Sequence, residues 1–315
     1  MGQTAEPTAD SSNLDPKDVY RRCAVVLRDA GVPFLVGGAY AMAQYTPLVR
    51  DTKDIDLFLR PEHVRWAMEI LEQAGFQATV PYPHWLAKAY MGPTFVDLIF
   101  SSGNGVALVD DEWFQHAPTA EVLGMQLLVC PAEEVIWSKA VVLERERFDG
   151  ADVAHMIRDA GAGLDWQRLL RRFGAHWRVL LAHLVLFGFV YPGERDRVPA
   201  WVMRVLSRRL QNDLASEPGA AGVCRGTLLS REQYLVDLER LGYADGRLLS
   251  PEVHMSPEDI ARWTRAIPGR EESPEDPHGP RTESDGQQSA ERFDDRPGDP
   301  GGAQRGFDPE PGGDR

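Results

Sequence analysis

Few cysteines, no basic surplus and no long apolar run set the first limits on this 315-residue chain. Its three cysteines, Cys23, Cys130 and Cys224, lie far apart with neither pairing nor metal-ligand spacing. That excludes a disulfide framework and fits a reducing compartment. Residues 1–14 are polar, with no basic start and no apolar core, so no signal peptide is expected and the chain is assigned to the cytoplasm. The longest apolar run, residues 179–190, contains His183 and is too short to cross a bilayer, so it predicts a buried helix and no membrane partner. With a net charge of −14 the chain offers no broad basic face. A nucleic acid would have to be held by a local cluster such as Arg168, Arg171 and Arg172, which reads more simply as a solvated helix face.

The negative charge is unevenly spread. Residues 269–315 hold 13 acids against 6 arginines, half of the chain's surplus, in a stretch rich in Pro, Gly and Ser and nearly without branched aliphatics. Such a composition cannot bury enough apolar surface to order itself, so a disordered acidic tail is expected there, with a second disordered segment at 1–15. Between them the sequence is only mildly acidic, and 43% hydrophobic residues overall support a sizeable core.

The most informative stretch begins at Pro33. Residues 33–36 are short and apolar, as a buried strand would be, and stop at Gly37 and Gly38 before the helix-like Ala39 to Ala43. Two glycines at a strand-to-helix turn permit close approach to a ligand, and the helix N-terminus behind them favours a phosphate. After a loop with Pro47 and Arg50, Asp54-Ile55-Asp56-Leu57 alternates acid and apolar, which on a strand places both carboxylates on one face. Paired acids repel unless a cation lies between them, and oxygen-only ligands suit a hard ion such as Mg²⁺ or Mn²⁺. The alternative is that Asp54 caps a turn after Thr52 and Asp56 is solvated. Further on, Asp97 is the lone acid in the β-prone run Phe95-Val96-Asp97-Leu98-Ile99-Phe100. Metal coordination would offset its burial; a solvent-facing strand end is the other reading.

Gly37-Gly38, a gap of 15 residues, Asp54-Ile55-Asp56 and the later Asp97 together resemble the signature of the DNA polymerase beta-type nucleotidyltransferases. The resemblance implies an NTP substrate, Asp54, Asp56 and Asp97 as catalytic and metal-binding residues, and Gly37 and Gly38 at the nucleotide phosphates. Arg50 is a further phosphate candidate. The fold expected is α/β (α+β), with a small mixed sheet and packed helices over 16–130, a helical domain over 131–268 and the tail beyond.

Past Pro131, residues 132–147 have a helical pattern that embeds Lys139 among Ile136, Trp137, Val141 and Val142, where it either snorkels or reaches a phosphate. Asp149 and Asp152 flank the break at Gly150 and serve either as helix-capping acids or as part of a site. Lys139, Arg147, Asp149 and Asp152 resemble the Lys…Arg-Asp-x-x-Asp pattern of abortive-infection (AbiEii-type) toxin nucleotidyltransferases, with Phe148 intervening. That likeness implies that Lys139 binds nucleotide phosphates, that Arg147 and the two acids support the site, and that the chain has a toxin–antitoxin-like setting with a partner protein. Cys224 to Arg231 either closes over phosphates or docks on the core, and residues 231–241 are expected to be helical. The expected activity is metal-dependent transfer of an NMP group from an NTP to an acceptor hydroxyl on tRNA, protein or a small molecule. The alternative is an inactive nucleotide- or partner-binding module of the same fold.

Overall fold

Asp15 accepts a hydrogen bond from Lys17 N–H (2.9 Å), which caps helix α1 (Pro16–Asp29) ahead of its Pro at the first turn. The computed structural model describes residues 15–50, 52–217, 219 and 221–268. The disordered ends expected at 1–15 and 269–315 otherwise lie outside the described residues. After α1 come β1 (Leu35–Val36), α2 (Gly38–Tyr45), β2 (Ile55–Phe58) and α3 (Pro61–Gln73). Strands β3 (Gln77–Tyr82), β4 (Leu86–Met91) and β5 (Thr94–Ile99) follow, then α4 (Asp111–Gln115) and the hairpin β6 (Thr119–Val122) and β7 (Met125–Leu128).

Five strands form one mixed sheet in the order β1-β2-β5-β4-β3, with β2 and β5 parallel and the other neighbours antiparallel. Period-two patterning explains its two faces. Ile55 and Leu57 on β2, with Val96 and Leu98 on β5, are buried, while Asp56 and Asp97 point to the other face. Burial of the apolar set pins the register, because a one-residue slip would put both acids into the core.

Beyond Pro131 the elements are helical: α5 (Ala132–Ala140), α6 (Gly150–Ala160), α7 (Trp166–Phe173), α8 (Trp177–Val190) and α9 (Ala200–Leu214). A short strand pair, β8 (Val223–Cys224) and β9 (Ala244–Asp245), brackets α10 (Leu235–Glu239), and α11 (Gly246–Leu249) and α12 (Pro257–Arg265) end the described chain. Strands give way to helices at the boundary expected between residues 130 and 131, yet the buried apolar residues form one cluster from Val19 to Leu228.

Several expectations need correction. The helix over 132–147 stops at Ala140, and residues 141–149 instead form a loop in which Leu143 and Phe148 bridge in antiparallel fashion. The helix over 231–241 is reduced to α10. The segment from Trp166 to Val190 is long and apolar enough to cross a membrane by length and composition, but Gly174 (φ +41°) separates α7 from α8 within it. Only one side of α8 is buried, by Leu180, His183, Leu184 and Phe187, and Val185, Leu186, Phe189 and Val190 are exposed. A uniformly apolar run carries no polar stripe from which its outer face could be read.

Of the three arginines expected on a solvated face, Arg171 is exposed but Arg168 and Arg172 are placed otherwise. Arg168 is buried between Glu133 and Glu134 of α5, and Arg172 binds Glu134 and Asp110. This network ties α7 to the start of α5, whose far end carries Lys139. Removing one member leaves buried charge uncompensated. Arg168→Met is therefore expected to lower unfolding free energy by about 3–5 kcal/mol in urea titrations. Arg178→Met, at an exposed pair with Asp213, should cost less than about 1 kcal/mol. Equal losses would contradict a structural role for the buried network.

Candidate active site

Register between strands builds the centre of the site. Asp56 of β2 lies opposite Asp97 of β5, and Asp97 lies opposite Lys88 of β4, so acid, acid and lysine form one row across three strands. Lys88 Nζ is 2.6 Å from Asp97 Oδ1 and 4.1 Å from the centre of the Phe95 ring. Asp54 sits at the bend just before β2, where Thr52 Oγ1 donates to its Oδ1 at 2.8 Å. The turn-capping and metal-site readings of Asp54 thus describe the same side chain, because it also lines the cavity.

Gly37 and Gly38 seat the strand-to-helix turn directly on β2. A Cβ at Gly37 would come within 2.2 Å of the Phe58 ring, and one at Gly38 within 1.8 Å of Asp56 Oδ2. Gly38 also has φ +54°, a conformation that disfavours side chains. The expectation that Gly37 offers its N–H to a phosphate is corrected: that group donates to Asp56 O at 2.8 Å. The available donors are the first N–H groups of α2, from Gly38 on, which a helix leaves without internal partners.

These residues line a cavity of about 750 Å³ together with Lys139, Arg147 and Asp149. Arg147 grips Asp149 through two hydrogen bonds of 3.1 and 3.0 Å, and Lys139 Nζ is 3.2 Å from Asp149 and 2.8 Å from Asp152. Arg50 pairs with Asp152 at 2.5 Å. Three cations therefore serve two acids, leaving one positive charge over beside the carboxylate row. Asp149 occupies the N-cap position of α6 without a side-chain cap bond, so its carboxylate is committed to the site cluster. Arg50 does not line the cavity and is paired with Asp152.

The far wall was not anticipated. Trp263 of α12 stands edge-on to Tyr82 and Trp85 at 4.7 and 5.4 Å, and the Arg231 guanidinium lies 4.4 Å over its ring. Glu144, on the loop after α5, accepts from Ser230 Oγ (2.6 Å) and Arg231 N–H (3.0 Å). The segment around Cys224 to Arg231 thus docks on the core and, through Leu229, Ser230 and Arg231, also walls the cavity. Lys88 was legible in principle from strand pairing; Trp263, distant in sequence, gave no local signal.

The electrostatics show what the row lacks. Burial, followed by the charges of Asp54 and Asp97, pushes Asp56 up to about 7. Asp97 is raised by burial, with Lys88 opposing. Asp149 and Asp152 feel the same burial, but Arg147, Lys139 and Arg50 outweigh it and hold both below the ordinary carboxylate range. Asp56 accepts no side-chain hydrogen bond among the described residues, and the missing Gly38 Cβ leaves room against its Oδ2. An unpartnered carboxylate beside Asp54 suits a hard divalent ion. Among the described residues no three Asp, Glu, His or Cys side chains are grouped as a metal cage. Mg²⁺ commonly takes one or two carboxylates and completes its shell with phosphate oxygens and water, so the residues present fit such an ion with a nucleotide.

A model of a family described as an uncharacterised nucleotidyltransferase matches residues 12–186, more than half of the chain. The chain belongs to that family. No curated protein matches it. Among solved structures, this nucleotidyltransferase is similar to the antibiotic-resistance factor ANT(2'')-Ia, at 18% identity over 53% of this chain and 95% of that one, with a TM-score of 0.38. It is also similar to the lincosamide antibiotic adenylyltransferase LnuA bound to lincomycin, at 12% identity over 46% and 97% of the two chains, TM-score 0.32. A third similarity is to JHP933 from Helicobacter pylori, at 10% identity over 64% and 95%, TM-score 0.31.

The raised Asp56 fixes the sign of a pH effect. A carboxyl held above its unfolded value contributes stability that is complete below about pH 4 and lost as pH rises through about 7. In metal-free buffer, Asp56→Asn should melt several degrees above wild type at alkaline pH, and the gap should narrow on going to about pH 5. A gap that does not change with pH would contradict the like-charge account.

Proposed function

We propose that this family member transfers an NMP group from an NTP to an acceptor hydroxyl in a divalent-metal-dependent reaction. The observation that carries the reading is that Asp54, Asp56 and Asp97 share one cavity with the glycine turn and Lys139. Asp54 and Asp56 would hold the ion together with NTP phosphate oxygens. Bound there, the ion neutralises charge on the triphosphate and on the departing pyrophosphate.

The chain's own groups do the rest. The first N–H groups of α2 and the Lys139 ammonium bind phosphate oxygens, fixed donors that need no rearrangement as charge shifts. Asp97 accepts the acceptor's proton at Oδ2, the oxygen that Lys88 leaves untouched. The acceptor oxygen then bonds to the α-phosphorus as the bond to the bridging oxygen breaks and pyrophosphate leaves. Arg147, Asp149 and Asp152 keep Lys139 aimed. The ion pairs of Lys139 with Asp149 and Asp152 support a reading of this stretch by the abortive-infection pattern. Trp85 and Trp263, which also line the cavity, supply apolar faces for the acceptor.

The test is incubation of the full chain with each α-³²P-labelled NTP and Mg²⁺ in host lysate. Wild type is expected to label one class of acceptor, and the Asp54→Asn/Asp56→Asn double variant to do so at least about 100-fold more weakly. Undiminished labelling by the double variant would overturn the reading.

A further inference from the structure

Lys88 has no part in the nucleotide chemistry just described, and its placement is unusual for a surface-strand lysine. It sits directly opposite Asp97 in the β4–β5 register, its Nζ 2.6 Å from Oδ1, with its side chain only 21% exposed and braced over the Phe95 ring. It does not line the cavity, so a ligand there would not displace it. Of Asp54, Asp56 and Asp97, Asp97 alone has a cationic side chain within ion-pair distance among the described residues.

From this row we infer that Lys88 takes the place of a second divalent ion, so that the site loads one metal, on Asp54 and Asp56, while Asp97 stays metal-free as the proton acceptor. The inference rests on the proposed nucleotide site. Two-ion sites hold their cations about 4 Å apart. Here one oxygen of Asp97 is already committed to an ammonium, and a fixed cation beside it repels a further dication.

The number of ions can be read without turnover. Mn²⁺ is titrated into the full chain with a non-hydrolysable α,β-methylene NTP, and bound ion is counted by electron paramagnetic resonance. Wild type is expected to bind one Mn²⁺ per chain, and Lys88→Met two, with the magnetic coupling signature of a close pair. Lys88→Arg keeps the charge and is expected to stay at one, which guards against misfolding of the Met variant. Two ions in wild type, or one in a folded Lys88→Met protein, would overturn the inference while leaving nucleotidyl transfer standing. No Mn²⁺ bound with any nucleotide would overturn the nucleotide-site reading and this inference with it.

Discussion

Mutual repulsion among Asp54, Asp56 and Asp97 is the constraint around which the rest of the site is arranged. Two of these acids are set on neighbouring strands by the burial of Ile55, Leu57, Val96 and Leu98 on the opposite face, so they cannot be moved apart without unmaking the core. Each feature nearby answers that charge. Lys88 pairs with Asp97, Lys139 and Arg147 oppose the rise of Asp56, and burial with the neighbouring acids still pushes Asp56 up to about 7. The fold therefore stores an unfavourable interaction that only a ligand relieves, and stability is exchanged for a prepared binding site.

Holding the cations in place takes a second set of contacts. Lys139 lies at the end of α5, where His183 Nε2 is 2.8 Å from the Ala140 carbonyl oxygen, and the start of α5 is clamped by Arg168 and Arg172. Asp149 and Asp152 then fix Lys139 Nζ between them. The buried ion pairs of the helical region and the carboxylate row of the sheet are thus linked through one short helix. The loop after α5 extends the same scaffold, because Glu144 holds Ser230 and Arg231 and so brings the C-terminal segment, with Trp263, over the cavity.

Much of the sheet was legible because its signals are local. A glycine pair, an alternating acid–apolar strand and a lone acid in a β-prone run name three neighbouring pieces, and period-two patterning puts their carboxylates on one side. What the sequence concealed was set by long-range contacts. Lys88 is recognisable only once β4 is paired with β5, and the acids that bury Arg168 and Arg172 lie more than thirty residues upstream. The early end of α5 escaped because helical spacing continues past Ala140, while hydrogen bonds to Leu229 and within the loop decide otherwise. The role of Gly37 was mistaken for a related reason: its N–H is taken by Asp56, a contact between segments that spacing alone cannot show.

The account stands most directly on one claim, that the carboxylate row is completed by a metal and a nucleotide together. Thermal melting of the full chain with Mg²⁺, with a non-hydrolysable NTP, and with both tests it. The account predicts that the pair raises Tm by several degrees more than the sum of the two alone, and that Asp56→Asn abolishes the excess. A nucleotide that stabilises the protein equally well in EDTA, or an excess retained by Asp56→Asn, would contradict it.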